Sequence, residues 1–244
     1  MYTNAIENYL KQHSYHHIHL KAVLFDMDGV LFNSMPNHAR AWNEAMKHYG
    51  MHLSCEEAYL HEGRTGASTI NIVSQRERGH DATPEEIECI YHTKTEIFNS
   101  YPKAERMPGA WEAIRQMKAD GLTIMVVTGS GQASLLERLN RNFPDTFRQE
   151  LMVTAYDVKH GKPSPEPYLM ALEKAGLHPN EAIVVENAPM GVHAGVAAGI
   201  FTVAVNTGPL PDRVLLDEGA NLLLPSMLAL SEQWEELYKE LGEE

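Results

Sequence analysis

KAVLFDMDGV, residues 21–30, sets a short apolar run against an acidic turn. The run ends at Phe25 and is too short for a helix, so it reads as a buried central strand followed by the loop Asp26-Met27-Asp28-Gly29. The pattern repeats downstream, where LTIMVVTG at 122–129, EAIVVEN at 181–187, FTVAVN at 201–206 and NLLLP at 221–225 are all strand-like. Helical segments lie between them, among them PGAWEAIRQMKADG at 108–121, with Pro108 at the expected helix start and Gly121 just past its end. Strand and helix alternate from residue 103 onward, which predicts an α/β fold with a parallel sheet covered by helices on both faces. In such sheets active sites gather beyond the carboxyl ends of the strands.

Residues 36–100 carry helical patterns without an intervening strand-like run. Ala39, Trp42, Met46 and Tyr49 repeat at helical spacing, with Trp42 expected in the core. Ser54 with Glu57, and Thr83 with Glu86, are capping-box starts. The pattern predicts a helical subdomain, residues 35–102, inserted into a core domain made of residues 21–34 and 103–244. Both connections, near residues 32–36 and 101–108, hold proline and turn formers and suit a hinge. Residues 1–20 carry His13, His16, His17 and His19 and are expected to form a solvated N-terminal extension, with no function assigned to it.

With 43% hydrophobic residues in 244, the chain can bury a sizeable core. Its net charge of −13 argues against an electrostatic grip on nucleic acid or an anionic membrane. No stretch is long enough to span a bilayer, and the first twenty residues lack the features of a secretory signal. Cys55 and Cys89 form neither a CxxC motif nor a disulfide framework, which fits a reducing compartment, the cytoplasm by expectation. A monomer acting on a small molecule is the expected state.

Asp26 and Asp28 stand two apart at a strand end, where a period of two turns both carboxylates to one face. One carboxylate can attack phosphorus, while its neighbour protonates the leaving oxygen and later activates water. A DxD pair alone is equally a cap or a solvated turn, so its neighbours decide. Thr128 and Gly129, after the second apolar run, offer a hydroxyl and backbone amides to a phosphate. Lys162, in a loop before a helix, offers a fixed ammonium, and Glu186 with Asn187, ending a strand, offer oxygen ligands to a hard cation. Each alone has a bland reading as a turn, a cap or solvated surface; the ordered set is far more specific.

In this order, VLFDMDGVLFNS at 23–34, Thr128, Lys162 and Glu186-Asn187 resemble the four motifs of the haloacid dehalogenase superfamily of phosphotransferases, over nearly all residues from Lys21 to about Trp234. The resemblance implies a Rossmann-like core, a mobile helical cap, Asp26 as nucleophile and Asp28 as general acid/base. It also implies one Mg²⁺ held by the Asp26 carboxylate, the Asp28 backbone carbonyl and the fourth motif, here Glu186 and Asn187.

Within the superfamily, the insert position and HARAW at 38–42 look most like the β-phosphoglucomutase clade. That clade's signature enzyme holds a sugar with two phosphates, and its cap carries a lysine and an arginine, with a further lysine in the loop after the second motif. Aligned through His61-Glu62-Gly63-Arg64-Thr65-Gly66, those positions here are Glu62, Gly66 and Gly131, leaving Arg64 as the only obvious replacement cation. A carboxylate about 4 Å from a dianionic phosphate repels it by several kcal/mol at an effective dielectric near 20. Glu62, Asn187 and the sequence HEGRTGAST closely resemble an inorganic pyrophosphatase subgroup of the clade. The expected activity is therefore Mg²⁺-dependent hydrolysis of pyrophosphate or another small phosphorylated compound; the alternative is β-phosphoglucomutase or a related phosphosugar mutase. His38, near the hinge, is either a partner of Asp28 or a structural histidine.

Overall fold

The computed structural model describes residues 2–130 and 135–242, so Gly131 lies outside the described residues. Five strands, β1 (Ala22–Phe25), β2 (Thr123–Val126), β3 (Ala182–Glu186), β4 (Phe201–Val205) and β5 (Leu222–Leu224), form one sheet in the order β2-β1-β3-β4-β5. Every pairing is parallel. All residues of β1, β3 and β4 are buried, because helices cover both faces of the sheet. Val23 and Phe25 join one apolar cluster while Ala22 and Leu24 join the other, as the strand period of two demands. This is the α/β Rossmann-like architecture that the alternation of apolar runs and helices implies. Its strand order reverses direction at β1, and a crevice opens beyond the strand ends at such a switch point.

The helices α2 (Met35–His48), α3 (Cys55–Leu60), α4 (Gly66–Arg78) and α5 (Pro84–Ser100) follow β1 as a lobe with its own apolar cluster. Ala39 and Met46 are buried in that cluster, and Trp42 and Tyr49 pack against it from partly exposed positions. Thr83 and Glu86 form a complete capping box at the head of α5, whereas only the Ser54 half of the predicted box forms at α3. The chain returns to the sheet through α6 (Ala110–Ala119), where Gly109 rather than Pro108 is the N-cap. Then follow α7 (Leu135–Asn142), α8 (Glu166–Ala175), α9 (Pro189–Ala197), α10 (Asp212–Asp217) and α11 (Met227–Leu241).

Residues 2–20 are not a solvated extension. Residues Thr3–His13 form a helix, α1, whose Ile6 and Tyr9, with Tyr2 before them, are buried in the main apolar cluster. The Tyr9 ring meets Phe201 edge-on at 5.4 Å, and its hydroxyl donates to the Gly199 carbonyl at 2.9 Å. These three side chains recur at spacings of four and three, one face of a helix, and burying them outweighs the cost of ordering the segment. No helix among the described residues is long and apolar enough to cross a membrane.

Candidate active site

Three adjacent strands deliver side chains to one crevice. Asp26 follows β1, Thr128 follows β2 by two residues, and Glu186 ends β3. Lys162, from the loop before α8, reaches across all three. Its Nζ donates to Asp26 Oδ1 and to Glu186 Oε1, each at 2.5 Å, and to the Val127 carbonyl at 3.0 Å. Glu186 is fully buried and also accepts from the Tyr168 hydroxyl and from the amides of Asn187 and Ala188. Burial disfavours the Lys162 ammonium, but Asp26 and Glu186 more than offset this and hold its pKa above the ordinary value. One ammonium serves two carboxylates, and a negative charge is left over. Burial, then Glu186, accordingly push the Asp26 carboxyl up to about 8 against the pull of Lys162.

Asp28 lies beside Asp26 on the same cavity but in a different setting. Strand β1 has already ended at Phe25, so the turn, and not a strand pleat, sets both orientations. Asp28 Oδ1 accepts from the Ser34 hydroxyl at 2.5 Å and lies 3.4 Å from His38 Nε2. Behind His38 stands Lys94, whose Nζ is 2.8 Å from His38 Nδ1. An ammonium can only donate, so Nδ1 accepts, the proton sits on Nε2, and His38 presents an N–H toward Asp28. Burial, then Lys94, lower the His38 pKa, which agrees with this neutral tautomer. Burial would raise Asp28, but His38, Ser34 and the Arg138 guanidinium hold it below the usual carboxylate range. With the His38 ring neutral, the short hydrogen bond from Ser34 is the firmest of these contacts. Lys94 itself is buried among the rings of Trp42, Tyr91 and Phe98, and burial pushes its pKa down to about 8.

The helical lobe closes the other side. Glu62, near the start of the loop after α3, faces Asn187, whose Nδ2 donates to both carboxylate oxygens at 3.1 and 3.2 Å. Burial, then Asp26 and Glu186, push Glu62 well above its usual range. Gly29 makes room for Asn187: its φ is +83°, and a Cβ there would stand 2.1 Å from Asn187 Nδ2. A second glycine serves the lobe. A Cβ at Gly66 would lie 2.3 Å from the Tyr91 ring, so the aromatic ring occupies the space a side chain at 66 would need. Arg64, Thr128 and Gly129 line the same cavity, whose volume is about 100 Å³.

The buried donor set fits a hard cation. Asn187 Oδ1 is buried with no hydrogen-bond partner, beside a cluster of carboxylates that one lysine leaves under-neutralised. Glu186 is saturated by donors, so Asn187 and Asp26 are the freer oxygens. Among the described residues no three His, Cys, Asp or Glu side chains converge as a cation cage, so backbone or amide oxygens are needed to complete a ligand set.

The structure thus gathers Asp26, Asp28, Thr128, Gly129, Lys162, Glu186, Asn187, Glu62, Arg64 and His38 around one crevice. Arg64 is not the only cation there: Lys94, which sequence reasoning passed over, shares the cavity. Its spacing of four from buried Ile90 was the available signal. Ser34 and Arg138 were missed as well, and Trp42, expected in the core, also forms cavity wall.

Comparison with known proteins agrees with this geometry. The profile of the family described as "Haloacid dehalogenase-like hydrolase" matches residues 23–205. Hexitol phosphatase A of Escherichia coli (strain K12) is 32% identical over 188 residues, covering 76% of this chain and 83% of that protein. The phosphorylated carbohydrates phosphatase of Thermotoga maritima is 29% identical, covering 84% and 94%. A solved structure from Bacteroides vulgatus, described as a candidate β-phosphoglucomutase, is 67% identical with a TM-score of 0.97, covering 99% of this chain and 98% of that one.

Proposed function

This chain belongs to the haloacid dehalogenase-like hydrolase family, and from that premise we propose that it is a Mg²⁺-dependent phosphohydrolase acting on inorganic pyrophosphate or a similarly compact phosphate compound. The observation that carries the reading is the closed lobe. Tyr91 fills the space beside Gly66 and Glu62 meets Asn187, which leaves a cavity of about 100 Å³ where small-molecule sites commonly hold roughly 300–1,000 Å³. A hexose carrying two phosphates needs more room and more cations than Arg64 and Lys94 provide.

Asp26 is the proposed nucleophile. Its carboxylate attacks phosphorus, the bond from phosphorus to the leaving oxygen breaks, and an aspartyl-phosphate forms. Thr128, the Gly129 amide and Lys162 hold the transferring phosphoryl oxygens. Asp28 then takes a proton from water, the water oxygen attacks phosphorus, and the bond to Asp26 breaks to release phosphate and restore the carboxylate. Mg²⁺, when bound by Asp26, the Asp28 carbonyl and the Glu186-Asn187 pair, supplies charge neutralisation for the phosphoryl group. The contacts that keep Asp28 ionised leave it free to accept a proton, at the cost of weaker basicity. They also favour a phosphate leaving group, which leaves as a far weaker base than a sugar alkoxide and so demands far less protonation.

A second reading, a phosphosugar phosphatase or mutase, draws on the names of the relatives. A phosphate-release panel separates the readings, with Asp26→Asn as the control for activity at this site. Pyrophosphate should give a kcat/KM at least about tenfold above hexitol and hexose phosphates, a difference of about 1.4 kcal/mol in transition-state stabilisation. Conversion of β-glucose 1-phosphate with a bisphosphate primer at ten times the pyrophosphate rate would overturn the proposal.

A further inference from the structure

A second cavity, of about 530 Å³, lies between residues 98–104, the end of α5 and the start of its link to α6, and the helix α7. It is larger than the space above Asp26 and falls within the range of small-molecule sites, roughly 300–1,000 Å³. Phe98 and Pro102 supply apolar wall, while Lys103, Arg138 and Arg141 supply positive charge against the single carboxylate of Glu137. That excess stands out in a chain of net charge −13. Glu137 is already engaged, since Arg141 donates to it at 2.6 Å along α7.

Arg138 carries the argument further. Its guanidinium stacks 3.9 Å from the centre of the Phe32 ring and makes no hydrogen bond to any described residue, although the residue is partly buried. A guanidinium has five N–H donors in a fixed fork, matched in geometry to a phosphate or carboxylate. The exposed ammonium of Lys103 lines the same space. Donors unspent among the described residues, a local excess of positive charge and a roomy apolar wall call for one kind of occupant.

We propose that this hinge cavity binds a small phosphate-bearing anion, its phosphoryl oxygens on Arg138 and Lys103 and any organic body against Phe98 and Pro102. The cavity does not include Asp26, although it shares Phe98 with the space above Asp26 and Arg138 also acts on Asp28; its occupation by an anion does not depend on which substrate Asp26 attacks. Two sources share the chemistry, free inorganic phosphate and a phosphate monoester.

Calorimetric titration of the full chain with inorganic phosphate, and in parallel with ribose 5-phosphate, tests the proposal; EDTA is included so that no turnover intrudes. Two independent sites are expected for the wild type. Thr128→Ala should weaken one, and Arg138→Gln or Lys103→Glu should weaken the other by about tenfold or more, the loss expected for a charge-assisted hydrogen bond. Lys103 is exposed, so Lys103→Glu keeps the test valid should Arg138→Gln disturb the packing on Phe32. Tighter binding of ribose 5-phosphate identifies the monoester as the source, and tighter binding of phosphate identifies the free ion; either order supports the site. A single site in the wild type, or two sites indifferent to both Arg138→Gln and Lys103→Glu, overturns it.

Discussion

Replacing Tyr91 by alanine tests the proposal that this ring sets substrate size. Tyr91 lines the cavity above Asp26, and its ring edge lies 2.3–2.4 Å from where a Cβ at Gly66 would stand. Removing the ring opens space on the order of 100–150 Å³, the size of an engineered core cavity, and roughly doubles the about 100 Å³ already there. Tyr91 is 41% exposed, so the stability cost falls below that of truncating a fully buried aromatic, at about 1–2 kcal/mol. Added space in a pocket changes discrimination between substrates by roughly 10–200-fold. The expected outcome is a rise of that size in kcat/KM for fructose 1-phosphate relative to pyrophosphate, read by phosphate release under steady-state conditions. Thermal melting should confirm a folded variant. An unchanged ratio, within twofold, in a folded Tyr91→Ala protein would refute the assignment of Tyr91 as the size limit.

Glu62→Lys removes a carboxylate and adds an ammonium beside Asp26, a change worth several kcal/mol toward a second phosphate at an effective dielectric near 20. It should weaken hydrolysis of pyrophosphate and improve KM for doubly phosphorylated sugars; competition kinetics reads both. Lys94→Gln should lower kcat by roughly 10–100-fold, because His38 loses the donor that fixes its tautomer toward Asp28. Burial depresses the Lys94 pKa from 10.5 to about 8, so the active ammonium is present below pH 8 and lost as pH rises through it. Lys94→Arg, always charged, should restore part of kcat and move the alkaline limb upward, which the pH–rate profile reports. Tyr9→Ala should lower stability by about 3 kcal/mol in chemical denaturation while leaving kcat unchanged, since Tyr9 is buried in the core.

The sheet was legible because each strand is a short apolar run bounded by turn residues, and double-sided burial keeps such runs free of polar interruptions. Asp26, Thr128 and Glu186 were legible because the ends of parallel strands concentrate polar groups at one edge, and Lys162 was legible only through its order among them in the chain. Helix α1 was not read. Its histidines and polar residues dominate the composition, although Tyr2, Ile6 and Tyr9 share one face. Lys94 escaped because a charged residue on a helix is ordinarily solvated, and only the aromatic walls contributed by α2 and α5 make its burial tolerable. The contact of Glu62 with Asn187 joins residues 125 positions apart and depends on how the lobe sits on the sheet, which local pattern does not encode. The saturation of Glu186 by four donors was equally invisible, since Tyr168 carries no motif.

The most direct test of the central claim is a rapid-quench single turnover with ³²P-labelled pyrophosphate and Mg²⁺, followed by peptide mapping. The account predicts transient label on the peptide containing Asp26, its decay into inorganic phosphate at the rate of turnover, and no label in Asp26→Asn. Turnover without label on that peptide, or undiminished hydrolysis by Asp26→Asn, would contradict it.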